Sequence, residues 1–161
     1  MTELERRIQK LEDIEEIKKV HYRYVNSLSF ARWEDLADSF TEDGVCRIGL
    51  MDPRKGRADI VDLFKEDIGK RHVGKELIIT GNPIISVDGD KAEGNWVVSL
   101  SFFPDLTKST PGWGQTGVYN CRYERVEGKW MMEYLEWVPV LIIGPQPARV
   151  QKLHEEKGWN K

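Results

Sequence analysis

The sequence predicts an α+β fold in which helices near the start of the chain pack on the concave face of a curved antiparallel sheet. Three observations lead there. Apolar residues in the first third recur at spacings of three and four, the period of helices with one buried stripe. From about residue 76 the chain changes to runs rich in Val, Ile, Tyr and Trp, punctuated by Gly-Asn, Asp-Gly and Glu-Gly pairs. All helix-like segments except a short one at the end precede these strands, the order of an α+β rather than an alternating α/β chain.

The first helix is read from Leu4 to Leu28, through Leu4, Ile8, Leu11, Ile14, Ile17, Val20, Tyr24, Val25 and Leu28, with His21 on the same stripe. It is long enough for its first segment to overhang the domain. Ala31–Phe40 reads as a second helix with Trp33, Leu36 and Phe40 on one face, stopped by Thr41–Gly44, whose Asp-Gly pair reads as a turn into a strand over Val45–Leu50. A turn at Pro53–Gly56 leads to a third helix, Ala58–Ile68. The strands are Glu76–Thr80, Pro83–Val87, Ala92–Phe103, Gly117–Val126 and Lys129–Val140. Pro104–Gly114, which carries Trp113, reads either as a long hairpin loop or as a lid over a cavity mouth. After Gly144–Pro147 breaks the sheet, Ala148–Gly158 can form a short amphipathic helix, with Trp159 as an anchor.

Length and charge narrow the function. The 161 residues are read as one domain, with a core over about 10–140 and a tail over 141–161, and a chain of this length buries about 70% of its unfolded surface. With 24 Lys+Arg against 27 Asp+Glu, the net charge of -3 lacks the basic excess that displaces counterions from nucleic acid. Cys46 and Cys121 have no metal-ligand or CxxC spacing, and His21, His72 and His154 are dispersed, so no metal is expected. A charged N-terminus, no apolar run near the ~18 residues of a membrane span and isolated cysteines lead to the expectation of a cytoplasmic protein with reduced thiols and no membrane partner. The six tryptophans, at 33, 96, 113, 130, 137 and 159, are many for this length and must cover apolar surface.

Several phrases, in order, carry a resemblance: Ile14–Tyr24, Trp33-Glu-Asp-Leu, Phe40-Thr-Glu-Asp-Gly-Val, Gly56-Arg-Ala-Asp-Ile, Thr80-Gly-Asn-Pro, Val87–Ala92 and Tyr123–Trp130. Over about residues 10–140 the chain resembles the SnoaL-like branch of the nuclear transport factor 2-like superfamily, which includes bile acid 7α-dehydratases, scytalone dehydratases and hexachlorocyclohexane dehydrochlorinase. The resemblance implies a cone-shaped α+β barrel closed by its helices around one apolar pocket, no cofactor, and frequent homotrimers or homodimers. It also implies a His–Asp pair for proton abstraction, since removing a proton from carbon needs a near-neutral base and a carboxylate to orient it. At the matching positions this chain has Ile78 for the His and Ser29 for the Asp. Leu100 and Pro139 replace a further Asp and an Arg.

Two function classes follow. In the first, the chain is a dehydratase-like lyase or isomerase of a mid-sized hydrophobic molecule of sterol, polyketide or terpenoid type, with His21 and Tyr24 as the catalytic pair. In the second it binds a small apolar ligand without chemistry, through a pocket lined by Leu28, Ser29, Ile78, Leu100, Leu135, Trp137 and Pro139. His21 also reads as a core histidine satisfied by its neighbours, and Tyr24 as a buried, capped phenol. Glu136 is placed on the face of Trp130, Met132 and Tyr134, and Glu133 on that of Leu135 and Trp137. Either is a pocket carboxylate or the partner of Arg47 or Arg122 in a salt bridge.

Overall fold

A computed structural model describes residues 1–70, 74–105, 107 and 112–144, and the backbone alone at 149–150. Helix α1 spans Glu3–Ser29 and starts with a capping box: the Thr2 hydroxyl accepts from the Glu5 amide, and the Glu5 carboxylate accepts from that of Thr2. Its core face carries Ile17, Val20, His21, Tyr24 and Leu28. Leu4, Ile8 and Leu11 do not continue that stripe and are 65%, 47% and 64% exposed. At about 100° per residue their positions rotate to the far side of the helix. The overhang expected from the sequence is present, and the single stripe is two stripes on opposite faces. The inward position at this level is taken by a charged residue, Asp13, which accepts from Trp130 Nε1 at 3.1 Å and pairs with Arg125 at 2.7 Å. Those two residues tie the helix to the sheet.

Helix α2 is only Trp33–Ala37, and Phe40 opens strand β1 (Phe40–Ile48) instead of closing the helix. The expected turn at Thr41–Gly44 is a bulge inside β1, where Phe40 faces Met132 and Val45 already faces Tyr134. Gly44 suits the close approach there, since a Cβ would lie a tight 3.2 Å from the carbonyl oxygens of Met132 and Thr41. A two-residue strand β2 (Arg54–Lys55) pairs back on β1. Helix α3 (Arg57–Asp62) then continues as a π-helical segment over Leu63–Gly69.

The two strands expected around Gly81–Asn82 are one strand, β3 (Glu76–Asp88), with a bulge where Asn82 takes φ 49°. Strand β4 spans Lys91–Phe102, β5 Trp113–Val126 and β6 Lys129–Ile143. Trp113 therefore sits on a strand, paired with Phe102, and not in the loop. The tight turn between β5 and β6 puts Glu127 and Gly128 both at positive φ, as a primed hairpin turn requires. The sheet order is β2-β1-β6-β5-β4-β3, antiparallel except for the parallel β1–β6 pair. The sheet is curved and unclosed, and α1 lies across it.

The segment Arg149–Val150, expected as the start of a tail helix, forms a short strand β7 on Leu141 and Ile142 of β6. The rest of the tail with His154 and Trp159, and likewise His72 and most of the tip of the Pro104–Gly114 loop, lie outside the described residues.

Candidate functional site

Strand alternation builds the site. Ile78, Leu100 and Gln115 form one cross-strand row over β3, β4 and β5, and Glu76, Phe102 and Trp113 form the next. Gly117, one step further along β5, leaves room for the Trp137 indole, which a Cβ at that position would meet at 2.8 Å. Tyr119 packs on Trp137 with ring centroids 5.2 Å apart. Leu28 from the end of α1, Trp33 from α2, Met51 and the π-helical residues Phe64 and Ile68 complete the wall. They enclose an open-mouthed cavity of about 230 Å³. That lies between the ~150 Å³ that holds benzene and the ~300–1,000 Å³ of sites for drug-sized ligands.

Of the residues expected to line a pocket, Leu28, Ile78, Leu100 and Trp137 come together on this wall. Ser29, Leu135 and Pro139 do not. The Ser29 hydroxyl turns back to donate to the Val25 carbonyl at 3.3 Å. Leu135 is fully buried between Cys46 and Cys121 on the neighbouring strands, and Pro139 faces Gly117 in the ladder.

His21 and Tyr24 also lie off the wall, both fully buried. The His21 ring stacks on Trp96 at 3.9 Å and 3°. Its Nδ1 is 3.3 Å from the Tyr123 hydroxyl and its Nε2 3.3 Å from Thr80 Oγ1. Trp96 Nε1 donates to the Tyr123 oxygen at 3.0 Å and the Cys121 sulfur lies 3.9 Å from Nδ1, so both ring nitrogens have polar partners inside the core. This chain satisfies a neutral imidazole, and burial lowers its pKa to about 3. The arrangement is that of a core histidine. Burial pushes the Tyr24 phenol well above its ordinary value. Its hydroxyl faces that of Tyr119 without hydrogen-bond geometry.

Both late glutamates lie outside the cavity. Arg122 pairs with Tyr134 and Tyr123 with Met132, so one residue of β6, Glu133, is skipped as a bulge and the alternation inverts there. Trp130, Met132, Leu135 and Trp137 thus all reach the core, whereas Glu136 sits on the outer face with its carboxylate 3.9 Å from Arg47. Glu133 lies 3.5 Å from Lys91. Glu136 thus takes the salt bridge with Arg47 expected as its alternative, whereas Glu133 pairs with Lys91 and with neither Arg47 nor Arg122.

Among the described residues the polar side chains that line the cavity are Glu76 and Gln115, with the Tyr119 ring beside them, none of them anticipated. Alternation from Ile78 would have found Glu76, two residues earlier on the same strand. Alternation from Tyr119 through Gly117 would have found Gln115. The tryptophans sort accordingly: 33, 113 and 137 line the cavity, while 96 and 130 are buried in the core. Among the described residues no three His, Cys, Asp or Glu side chains gather as metal ligands, and no helix is long and apolar enough to cross a membrane.

Solved structures share this architecture. A hexachlorocyclohexane dehydrochlorinase superposes with a TM-score of 0.77 at 18% identity, over 87% of this chain and 93% of that one. A candidate scytalone dehydratase from Novosphingobium aromaticivorans gives 0.72 at 22%, over 88% and 92%. An NTF2-like protein with a cystatin-like fold from the same organism gives 0.76 at 21%, over 87% and 90%. At these identities the likeness is one of fold. The family model of the SnoaL-like domain matches residues 9–136, four-fifths of the chain, a span that holds every named residue of the cavity wall except Trp137, and this protein therefore belongs to the SnoaL-like family.

Proposed function

We propose that the chain binds a small apolar molecule of one or two rings in the cavity between the sheet and the end of α1. The observation that carries this reading is the wall itself: Leu28, Ile78, Val98 and Leu100 with Trp33, Trp113 and Trp137 around about 230 Å³, and Glu76 and Gln115 as the polar groups that would orient a hydroxyl or amine. The volume favours a single or fused ring over a sterol. The sealed positions of His21 and Tyr24 favour binding over chemistry by that pair.

Three wall tryptophans provide the assay. Titration with indole, 2-naphthol and a monocyclic terpenoid alcohol, followed by intrinsic fluorescence, is expected to saturate with a Kd of about 10 μM to 1 mM for at least one of them. Leu100→Trp, which fills the cavity, abolishes the response. No saturable change with any of the three, or an unchanged response in Leu100→Trp, overturns the reading.

A second reading has its own support. Glu76 places a carboxylate on an apolar wall, and structural neighbours carry the names of a dehydratase and a dehydrochlorinase. In a cofactor-independent lyase or isomerase, Glu76 would take the proton from carbon as the leaving group departs with its electron pair. Glu76→Gln would then abolish turnover while leaving binding intact. Turnover unaffected by Glu76→Gln counts against it.

A further inference from the structure

The first turns of α1 carry an apolar seam that none of the described residues covers. Leu4, Ile8 and Leu11 are 65%, 47% and 64% exposed and occupy consecutive d, a and d positions of a heptad. They lie opposite the face of α1 that holds Ile17, His21 and Tyr24 against the sheet, so closer packing of α1 on the sheet would not cover them. The overhang is anchored at its root, where Asp13 binds Trp130 and Arg125, and at its tip by the Thr2–Glu5 capping box. Little order remains to be lost when it docks.

The flanks of the seam say what docks there. Arg7 lies on one flank, at a g position, and Glu12 on the other, at the e position of the next heptad. Both are exposed. Neither forms an ion pair among the described residues. In a parallel pair of identical helices, g of one heptad faces e of the following heptad across the seam, so Arg7 meets Glu12 of the other copy twice, by symmetry. An antiparallel pair sets e against e, which places Glu12 against acidic residues. Beyond Leu11 the next core positions are Glu15 and Lys18, and the seam ends there.

The geometry points to a second copy of this chain as the occupant: α1 of two copies packs in parallel through Leu4, Ile8 and Leu11, with Arg7–Glu12 pairs on both sides.

The test is cross-linking of the full chain carrying Leu4→Cys, with Lys10→Cys, exposed on another side of the same helix, as the control. Native Cys46 and Cys121 are buried. Under mild oxidation at micromolar protein, Leu4→Cys is expected to give a covalent dimer at least tenfold faster than Lys10→Cys. Adding Arg7→Glu or Glu12→Arg alone slows it roughly fivefold, since two attractive pairs become repulsive, and the two together restore the rate. Equal rates for the two cysteines overturn the proposal, as does a Leu4→Cys rate indifferent to both charge reversals. Preferential cross-linking of Leu4→Cys with Leu11→Cys shows an antiparallel pair and overturns it equally.

Discussion

His21 gives the sharpest physical prediction, because its burial ties stability to pH in a range where few other groups titrate. Its ordinary value of 6.5 is lowered to about 3 in the folded chain by desolvation. Below pH 6.5 the unfolded chain takes up a proton that the folded chain refuses, so stability is full above that pH and declines as pH falls towards the folded value. From pH 7 to 5 the loss attributable to this one group is about 2 kcal/mol, and by pH 4 it reaches about 3 kcal/mol. Urea unfolding at pH 7, 6, 5 and 4 of the wild type and of His21→Gln measures it. The variant loses the Trp96 stack and is weaker at pH 7, but it lacks the imidazole, so the gap between the two proteins narrows by about 2 kcal/mol by pH 5. Carboxylates titrate alike in both and cancel. A gap that stays constant with pH, or a nuclear magnetic resonance titration of His21 near 6.5, would refute the placement of this histidine in sealed core and reopen it as a base.

Asp13→Ala strips the acceptor from Trp130 Nε1 and from the Arg125 guanidinium, both largely buried. The expected cost is about 2–3 kcal/mol, read as a Tm lower by roughly 5–10 °C. Burial pushes the Asp13 carboxyl up, but hydrogen bonds from Trp130, Arg125 and Gln9 outweigh it and hold the group below its ordinary 3.8. Its charge therefore stabilises above that pH, and the Tm gap between wild type and Asp13→Asn narrows as pH falls through and below 3.8. Gly117→Ala drives a methyl against the Val138 carbonyl and to 2.8 Å from the Trp137 ring. It is expected to cost about 3 kcal/mol by urea unfolding and to weaken ligand quenching of wall tryptophan fluorescence.

Much of the architecture was legible from periodicity. The long first helix, the β4–β5–β6 meander and the turns at Gly89 and Glu127–Gly128 all followed from local pattern. So did the fold class, through the order of helices and strands. Three of the misreadings share one cause, bulges. Thr41–Gly44 and Gly81–Asn82 carry turn residues, yet a neighbouring strand keeps the ladder going on both sides, so the chain kinks without reversing. At Glu133 a bulge inverts the alternation, which no pattern within one strand reveals, and Glu136 was placed with the wrong neighbours for that reason.

The cavity was half legible. Leu28, Ile78, Leu100 and Trp137 were found from positions where the resemblance expects polar groups, or from the inward stripe of the helix. Trp33, Phe64 and Met51 reach the wall only because α2, the π-helical segment and the loop after β1 fold over the open end of the sheet, a tertiary fact without a local signal. His21 and Tyr24 were sound as inward residues. Inward, however, divides into core and cavity at about the level of Tyr119, and helical spacing does not resolve that boundary.

The claim that apolar ligands enter at the Trp137 end of the cone, and not at the His21 end, is tested most directly by methyl nuclear magnetic resonance during titration with 2-naphthol. The methyls of Leu28, Ile78, Val98 and Leu100 are predicted to shift together and saturate, while those of Ile17, Val20 and Leu135 stay in place. Saturable shifts centred on Ile17, Val20 and Leu135 instead, or none at all, would contradict it.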